Sequence, residues 1–242
     1  MVYATGDTVD LCRVGTGLIV AAMEHRPGTS YRSPGHPVLD HIVLAVPDLA
    51  EGAAGFARLT GVRPTRGGRH ADLGTANFLV GLGVDAYLEI IGPDPDRPDP
   101  GRPRPFGIDD LTGVRVAAWC VRPPDLDQTI VTARARGYDP GPVRAMSRST
   151  PDGVRLAWRL TSLPAGPGAG LVPFLIDWGA TAHPTTAALP TLALHSFTAE
   201  HPDPDLIRRQ LAALDVELPV RIGSEPRLLV TLRGPEGLIA LG

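Results

Sequence analysis

The sequence has few of the features that mark nucleic-acid-binding or secreted proteins. Lys and Arg number 23 against 26 Asp and Glu, so the net charge of -3 offers no basic surface for a phosphate backbone. Only two cysteines occur, Cys12 and Cys120, and they form no CxxC pair, which is typical of a reducing compartment. We therefore expect a cytoplasmic protein without a nucleic-acid partner.

Long apolar runs are also absent. The segment GTGLIVAAM at 15–23 is too short to span a bilayer, and Asp7 and Asp10 precede it where a signal peptide has basic residues. We expect no membrane partner, and residues 1–37 are interpreted as a loosely ordered extension. No P-loop, GxGxxG after a strand, HExxH or GxSxG occurs, which argues against nucleotide binding and serine hydrolysis.

What the sequence does contain is an internal repeat. The tripeptide Pro-Asp-Leu begins at Pro47, Pro124 and Pro204, at intervals of 77 (124 less 47) and 80 (204 less 124) residues. Each copy follows a strand-like run and precedes a helix-like one. Two or three short alternating runs come after each helix, so the predicted unit is β-α-β-β-β.

The predicted helices share a start signal. Asp48 with Glu51, and Asp125 with Gln128, have the spacing of a helix N-cap and its partner three residues on. In the third copy we expect Asp205 at this place, without an acidic or amide partner.

Helices on one side of mostly antiparallel strands predict the α+β class. The expected boundaries are an N-terminal extension at 1–37, a first βαβββ module at 38–92, a Pro-rich linker at 93–112, a second module at 113–179, a linker at 180–190 and a third, degenerate module at 191–242. The first linker, with its many prolines, is expected to be stiff and extended.

Several blocks resemble glyoxalase-like domains of the vicinal oxygen chelate superfamily. They are LDHIVLAVPDL, GGRHADLGTANFLVGLG with AYLEIIGP, and SRSTPDGVRLAWRLTSLP with GLVPFLIDW, and the resemblance covers residues 38–179 well. It implies repeated βαβββ modules forming a curved, mostly antiparallel sheet around a small-molecule pocket. Modules that pair across two chains would give a homodimer, whereas the units here could also close the sheet within one chain.

The resemblance also implies a metal site. In metal-using members of the superfamily a module offers one ligand from its first strand and one from its fourth, and His41 and Glu89 take these places. His195 stands near the matching place of the third module, whereas the second has Ala118 there. Two histidines and a carboxylate suit a divalent ion such as Zn, Fe, Mn, Ni or Co. The alternative for His41 is a histidine that only satisfies its own hydrogen bonds.

Further candidates follow from the same resemblance. The family often has a histidine at the place of His70, which with Glu89 is a catalytic candidate, and Thr75 and Asn77 follow in alternation toward the same cavity. Structural roles in turns are the alternative for His70, Thr75 and Asn77, and a simple charge on an edge strand is the alternative for Glu89.

Arg155 and Arg159 share one face of a strand whose other face carries Trp158. If they face the cavity they bind a carboxylate or phosphate of the substrate; otherwise they form a solvated outer face.

Two functions are therefore open at this stage, besides a third possibility, a scaffold whose pocket is vestigial. The first is a metal-dependent enzyme of isomerase, ring-cleaving dioxygenase or lyase/transferase type that acts on a small oxygenated organic molecule. The second is a metal-free binding protein that resembles drug-sequestering resistance proteins of the superfamily. The missing ligands of the second module favour the binding protein, and an aromatic content of only 5% counts against a groove that binds by stacking.

Overall fold

The computed structural model describes residues 36–83, 85–97, 101–162 and 170–242. The expected extension at 1–37 lies almost entirely outside the described residues, and so does part of the Pro-rich linker. No helix among the described residues is long and apolar enough to cross a membrane.

The β-α-β-β-β order occurs three times. The first unit has β1 (Val38–Ala45), α1 (Leu49–Thr60), β2 (Thr65–His70), β3 (Thr75–Gly81) and β4 (Tyr87–Pro93). The second has β5 (Arg115–Arg122), α2 (Leu126–Ala135), β6 (Val143–Ser149), β7 (Arg155–Thr161) and β8 (Phe174–Asp177). The third has β9 (Ala193–His201), α3 (Pro204–Ala213), β10 (Val220–Ile222), β11 (Arg227–Gly234) and β12 (Gly237–Leu241).

Aspartates begin all three helices. The Asp48 carboxylate accepts the Glu51 backbone N–H at 2.9 Å in α1, and Asp125 serves α2 in the same way. In α3 the cap is Asp203 instead of the predicted Asp205. The reason is Pro204, whose fixed φ and missing N–H suit the first position of a helix.

The first two units form one closed barrel with the strand order β1-β4-β3-β2-β6-β7-β8-β5. Within each unit the first and last strands are parallel, and every other junction is antiparallel. The α+β class and the curved, mostly antiparallel sheet are therefore confirmed. Because β1 pairs with β5 and β2 with β6, the sheet closes within one chain.

The third unit repeats the element order but not the strand order. Its sheet has the order β10-β9-β11-β12, so its first strand, β9, pairs with β10 and β11. In the other two units the first strand, β1 or β5, pairs with the last strand of the unit. It packs on the outside of the barrel, where Phe197 of β9 meets Trp119 of β5 at a ring distance of 5.1 Å.

Strand β1 is apolar almost throughout because both of its faces are covered. Ile42 and Leu44 join the outer core with the helices and the third sheet, while Val43 and Ala45 join an inner core inside the barrel. His41 alternates with Ile42 and so lies on the inner face. The inner core also contains Ile91, Ile108, Ala118, Cys120, Trp158, Phe174, Ile176 and Trp178.

The segments expected to be linkers contribute to the barrel. Within 93–112 the chain forms a short 3-10 helix, Pro105–Asp110, and Ile108 of this helix is buried in the inner core instead of extended in solvent. Within 180–190 a second short 3-10 helix, Pro184–Thr186, follows His183. The first 3-10 helix packs against the barrel because its side chains Phe106 and Ile108 are apolar, and their removal from water is favourable in free energy.

Replacing the α1 cap tests this description of the helix starts. Asp48→Ala removes the acceptor for the Glu51 N–H and is expected to lower the free energy of unfolding by about 1 kcal/mol. Urea unfolding measures the change, and Asp110→Ala, at an exposed residue that caps no helix, is the matched control. Equal stability of the two variants would contradict the capping role.

Candidate functional site

A fully buried carboxylate organises the barrel interior. Asp40 Oδ1 accepts a hydrogen bond from His41 Nδ1 at 2.7 Å. Its other oxygen accepts from Trp178 Nε1 at 2.9 Å, from His183 Nε2 at 3.1 Å and from Arg122 Nη1 at 3.3 Å. Burial opposes ionisation, but the bonds from His183 and His41 outweigh it and lower the pKa of Asp40 well below its usual value. Asp40 is therefore an ionised carboxylate that fixes the positions of the side chains that donate to it.

The Asp40 bond determines which nitrogen of His41 is free. With Nδ1 engaged, Nε2 points toward Glu89 and lies 3.8 Å from its Oε2 atom. Asn77 Nδ2 donates to the other Glu89 oxygen at 2.5 Å, and the His41 ring stacks on Tyr87 at 4.9 Å. The parallel pairing of β1 and β4 brings the two side chains together, because it sets Val43, two residues after His41, opposite Glu89.

His70 and Thr75 lie next to this pair. A hydrogen bond of 3.1 Å joins His70 Nδ1 and Thr75 Oγ1 across the β2–β3 turn. Burial lowers the pKa of His70 to about 4, with Arg148 and His41 adding to the effect and Glu89 opposing it. The imidazole is therefore neutral at pH 7 and can accept or donate a proton at its ring nitrogens.

The two arginines proposed for substrate binding lie on the exposed side of β7. Arg155 donates to Ser147, and Arg159 donates to both Asp127 and Asp177. All of these contacts are at the surface, opposite the buried Trp158. The structure thus does not bring Arg155 and Arg159 to the His41–Glu89 pair.

His195 lies on β9, which belongs to the four-stranded sheet and not to the barrel. Its Nε2 atom is buried and has no hydrogen-bond partner among the described residues. Of the sequence-predicted residues, the structure gathers His41, His70, Thr75, Asn77 and Glu89 in the barrel and leaves His195 in the other sheet.

The second module has no counterparts of His41 and Glu89. Adding the 77-residue repeat interval (124 less 47) carries His41 to Ala118 and Val43 to Cys120. Since Val43 pairs with Glu89 and Cys120 pairs with Phe174, the counterpart of Glu89 is Phe174. One half of the barrel interior is thus polar and the other largely apolar.

Among the described residues, one group of three potential metal ligands lies within 4.8 Å: Asp40, His41 and Cys120. All three are buried, so the barrel interior contains a group that could hold a metal ion. Burial, with help from Asp40 and Glu89, raises the pKa of the Cys120 thiol well above its usual value.

Sequence analysis assigned no role to Asp40, Arg148 or His183, although all three are buried or partly buried around the site. The adjacency of Asp40 to His41 is a signal that could have found Asp40, because a ligand histidine often donates its second N–H to a carboxylate. Arg148 and His183 come from the second module and its following segment, and no spacing rule relates them to His41.

Comparison with known proteins agrees with this architecture. The family model of the glyoxalase-like domain matches residues 39–214, well over half of the chain. The chain belongs to the glyoxalase-like domain family. The resemblance seen in the sequence is confirmed, and the glyoxalase-like domain comprises the barrel and the beginning of the third unit. No curated protein matches the chain.

Several solved structures are similar to this glyoxalase-like protein. A hypothetical protein from Staphylococcus aureus is 12% identical with a TM-score of 0.60, over 84% of this chain and 98% of its own. Methylmalonyl-CoA epimerase from Mycobacterium tuberculosis is 19% identical with a TM-score of 0.36, over 57% of this chain and 84% of its own. A mutant 4-hydroxymandelate synthase from Streptomyces coelicolor is 14% identical with a TM-score of 0.39, over 86% of this chain and 62% of its own.

The lowered pKa of His70 predicts a pH dependence of stability. Between about pH 6.5 and pH 4 the unfolded chain binds a proton at His70 that the folded glyoxalase-like domain does not, so stability falls as the pH drops through this range. Between about pH 7 and pH 5, the free energy of unfolding should therefore fall by about 2 kcal/mol less in His70→Gln than in the parent. Urea unfolding at the two pH values measures it, and an unchanged pH slope in the variant would refute the assignment.

Proposed function

We propose that this glyoxalase-like protein is an enzyme that acts on a small oxygenated organic molecule, with a divalent metal ion bound by His41 and Glu89. The proposal depends mainly on one observation. His41 Nε2 and Glu89 Oε2 face each other at 3.8 Å on adjacent strands inside a closed barrel. Buried groups of this kind do not improve stability, which favours a role in binding or catalysis.

The distance between these atoms fits a shared ion. Nitrogen and oxygen ligands lie roughly 2.0–2.2 Å from ions such as zinc, so two of them on one ion lie within about 4.2 Å of each other. The 3.8 Å separation satisfies this limit without movement of either strand. A His–Glu pair suits Zn, Fe, Mn, Ni or Co, and the substrate or water would complete the coordination.

Cys120 is not part of the proposed ligand set. The 2.7 Å contact between Asp40 Oδ1 and His41 Nδ1 has the length of a charge-assisted hydrogen bond. Because His41 Nδ1 donates its proton to Asp40 Oδ1, neither atom is available for an ion shared with Cys120. Asp40 then orients His41 from behind, as carboxylates do for metal-bound histidines. His195, Arg155 and Arg159 are likewise outside the proposal, since they lie away from the pair.

The neighbouring residues would hold the reacting groups in place. Asn77 donates to Glu89 Oε1 and so leaves Oε2 facing His41, while Tyr87 fixes the plane of the imidazole by stacking. When bound, a divalent ion acts as a Lewis acid that polarises vicinal oxygens of the substrate. Glu89 and the neutral His70 are the groups available for moving a proton, and Thr75 holds His70 in its orientation.

This chemistry is compatible with isomerisation, ring cleavage with oxygen, or group transfer. The cysteine content supports a cytoplasmic setting. A homodimer is not required for the site, because His41, Glu89 and their neighbours all come from one chain.

The second candidate function is metal-free binding of a small molecule. It is favoured by the second module, where Ala118 and Phe174 stand at the counterparts of His41 and Glu89 and cannot bind an ion. In this case the polar half of the interior would orient the ligand, and Phe174 and Tyr87 would contact it.

Metal analysis of protein purified without chelator distinguishes the two functions. We expect about one divalent ion per chain in the parent. The ion should be lost in His41→Ala and in Glu89→Ala, because each variant leaves only one of the two proposed protein ligands. Cys120→Ala is the matched control and should keep the ion. Elemental analysis of the purified proteins gives the stoichiometry.

The other outcomes are equally informative. If the parent contains no metal and its Tm does not increase on adding Zn, Mn, Fe, Ni or Co, the result would overturn the enzyme proposal and support metal-free binding. Loss of the ion in Cys120→Ala, with retention in Glu89→Ala, would instead move the site to Asp40, His41 and Cys120.

A further inference from the structure

Arg148 is a buried cation without a counter-ion among the described residues. It lies on β6, its exposed fraction is 5%, and its Nη1 atom has no hydrogen-bond partner. No described carboxylate lies within 4.0 Å of the guanidinium. Arg122 differs, because it pairs with Asp40. A guanidinium does not lose its proton in proteins, so the burial of Arg148 leaves a positive charge uncompensated.

This cation faces the barrel interior that contains the His41–Glu89 pair. A Cβ added at Gly67 would meet both Arg148 Nη1 and Asn77 Oδ1, and Asn77 Nδ2 donates to Glu89 Oε1 at 2.5 Å. Arg148 therefore lies beside Asn77, the residue that holds Glu89.

A glycine pair makes room for the guanidinium. A Cβ at Gly68 would overlap the Ser149 backbone oxygen and would lie 2.8 Å from Arg148 Nη1. A Cβ at Gly67 would lie 3.1 Å from Arg148 Nη1 and would overlap Asn77 Oδ1. The β2–β3 pairing shifts its register between Arg66 and Gly68, at this same place. The backbone of β2 therefore leaves open the volume into which Arg148 and Asn77 extend.

Within the part of the barrel that the structure describes, two other buried polar atoms have no hydrogen-bond partner. They are Asn77 Oδ1, an acceptor, and Trp158 Nε1, a donor. Trp158 is a diagonal neighbour of Arg148 across β6 and β7, because Met146 pairs with Trp158 and Arg148 with Leu156. Diagonal neighbours lie roughly 7–8 Å apart on one face of a sheet. The two unsatisfied donors and the positive charge of Arg148 therefore share a face, where together they complement an oxygen anion.

We propose that Arg148 and Trp158 bind an oxyanion group, a carboxylate or a phosphate, of the small molecule held in the barrel. Asn77 Oδ1 accepts a hydrogen bond from a hydroxyl or N–H group of the same molecule. The role of this molecule as substrate rests on the proposed function, whereas the anion site itself does not need a metal. With the anion on Arg148, the rest of the molecule extends toward His41 and Glu89, and the substrate is therefore a small organic anion.

Binding of simple anions to the full chain, after removal of metals with a chelator, tests the site. Lactate should raise Tm and bind measurably by calorimetry, while lactamide, its neutral isostere, should do neither. Arg148→Met should weaken lactate binding by about tenfold or more, because a charge-assisted bond is lost. Arg144→Met, at an exposed arginine on the same strand, is the matched control and should bind like the parent.

Stability of the unliganded variants separates a binding role from a structural one. Because Met fills a similar volume without a charge, Arg148→Met should raise the Tm of the unliganded protein by about 2–4 °C or more. A large fall in Tm would instead assign Arg148 to the fold and overturn the proposal. Equal binding of lactate and lactamide, or parent-like lactate binding in Arg148→Met, would also overturn it.

Inorganic phosphate identifies the source of the anion. Stronger binding of phosphate than of lactate, abolished in Arg148→Met, would support the site and assign it to a phosphate group. Because all of these measurements are made without metal, a failed metal analysis of His41 and Glu89 leaves them unaffected, and their own failure leaves the metal site unaffected.

Discussion

The hydrogen bonds of the buried Asp40 carboxylate are the interaction on which the rest of the barrel interior depends. Its partners are His41 beside it, Arg122 on the first strand of the second module, Trp178 at the end of that module and His183 in the segment that follows. One charge thus links separate parts of the chain and points the free nitrogen of His41 into the barrel. The burial of Asp40 is outweighed by the hydrogen bonds from His183 and His41, which keep its pKa well below the usual value.

This arrangement divides the interior between the two modules. The first supplies His41, Asn77 and Glu89, whereas the second supplies apolar Phe174 at the place of Glu89, and Arg148, which has no carboxylate within 4.0 Å among the described residues. The carboxylates Asp40 and Glu89 thus come from the first module and the guanidinium of Arg148 from the second, so the two modules contribute opposite charges to the interior.

Sequence patterns predicted the repeat, the strands and the first two helix starts because those features depend on residues close in the chain. Asp48 and Asp125 cap the helices they precede. The pairing of His41 with Glu89 came from the family resemblance, and the structure shows the strand register that brings them together. The third helix start was wrong by two residues because Pro204 takes the first helical position. His195 was assigned to the barrel by analogy between modules, yet the third unit has another strand order and forms its own sheet.

The sequence by itself determined that His41 and Glu89 share one module and that the fold is α+β, since hydrophobic period and capping are local. Tertiary structure alone decided how His41 is oriented and where Arg148 lies. Neighbours on a strand normally point to opposite faces, but the β1–β5 pairing shifts its register between Leu39 and His41, and Asp40 bonds its neighbour there. Arg148 reaches the interior only because two distant glycines leave it room, and no local pattern reports such a gap.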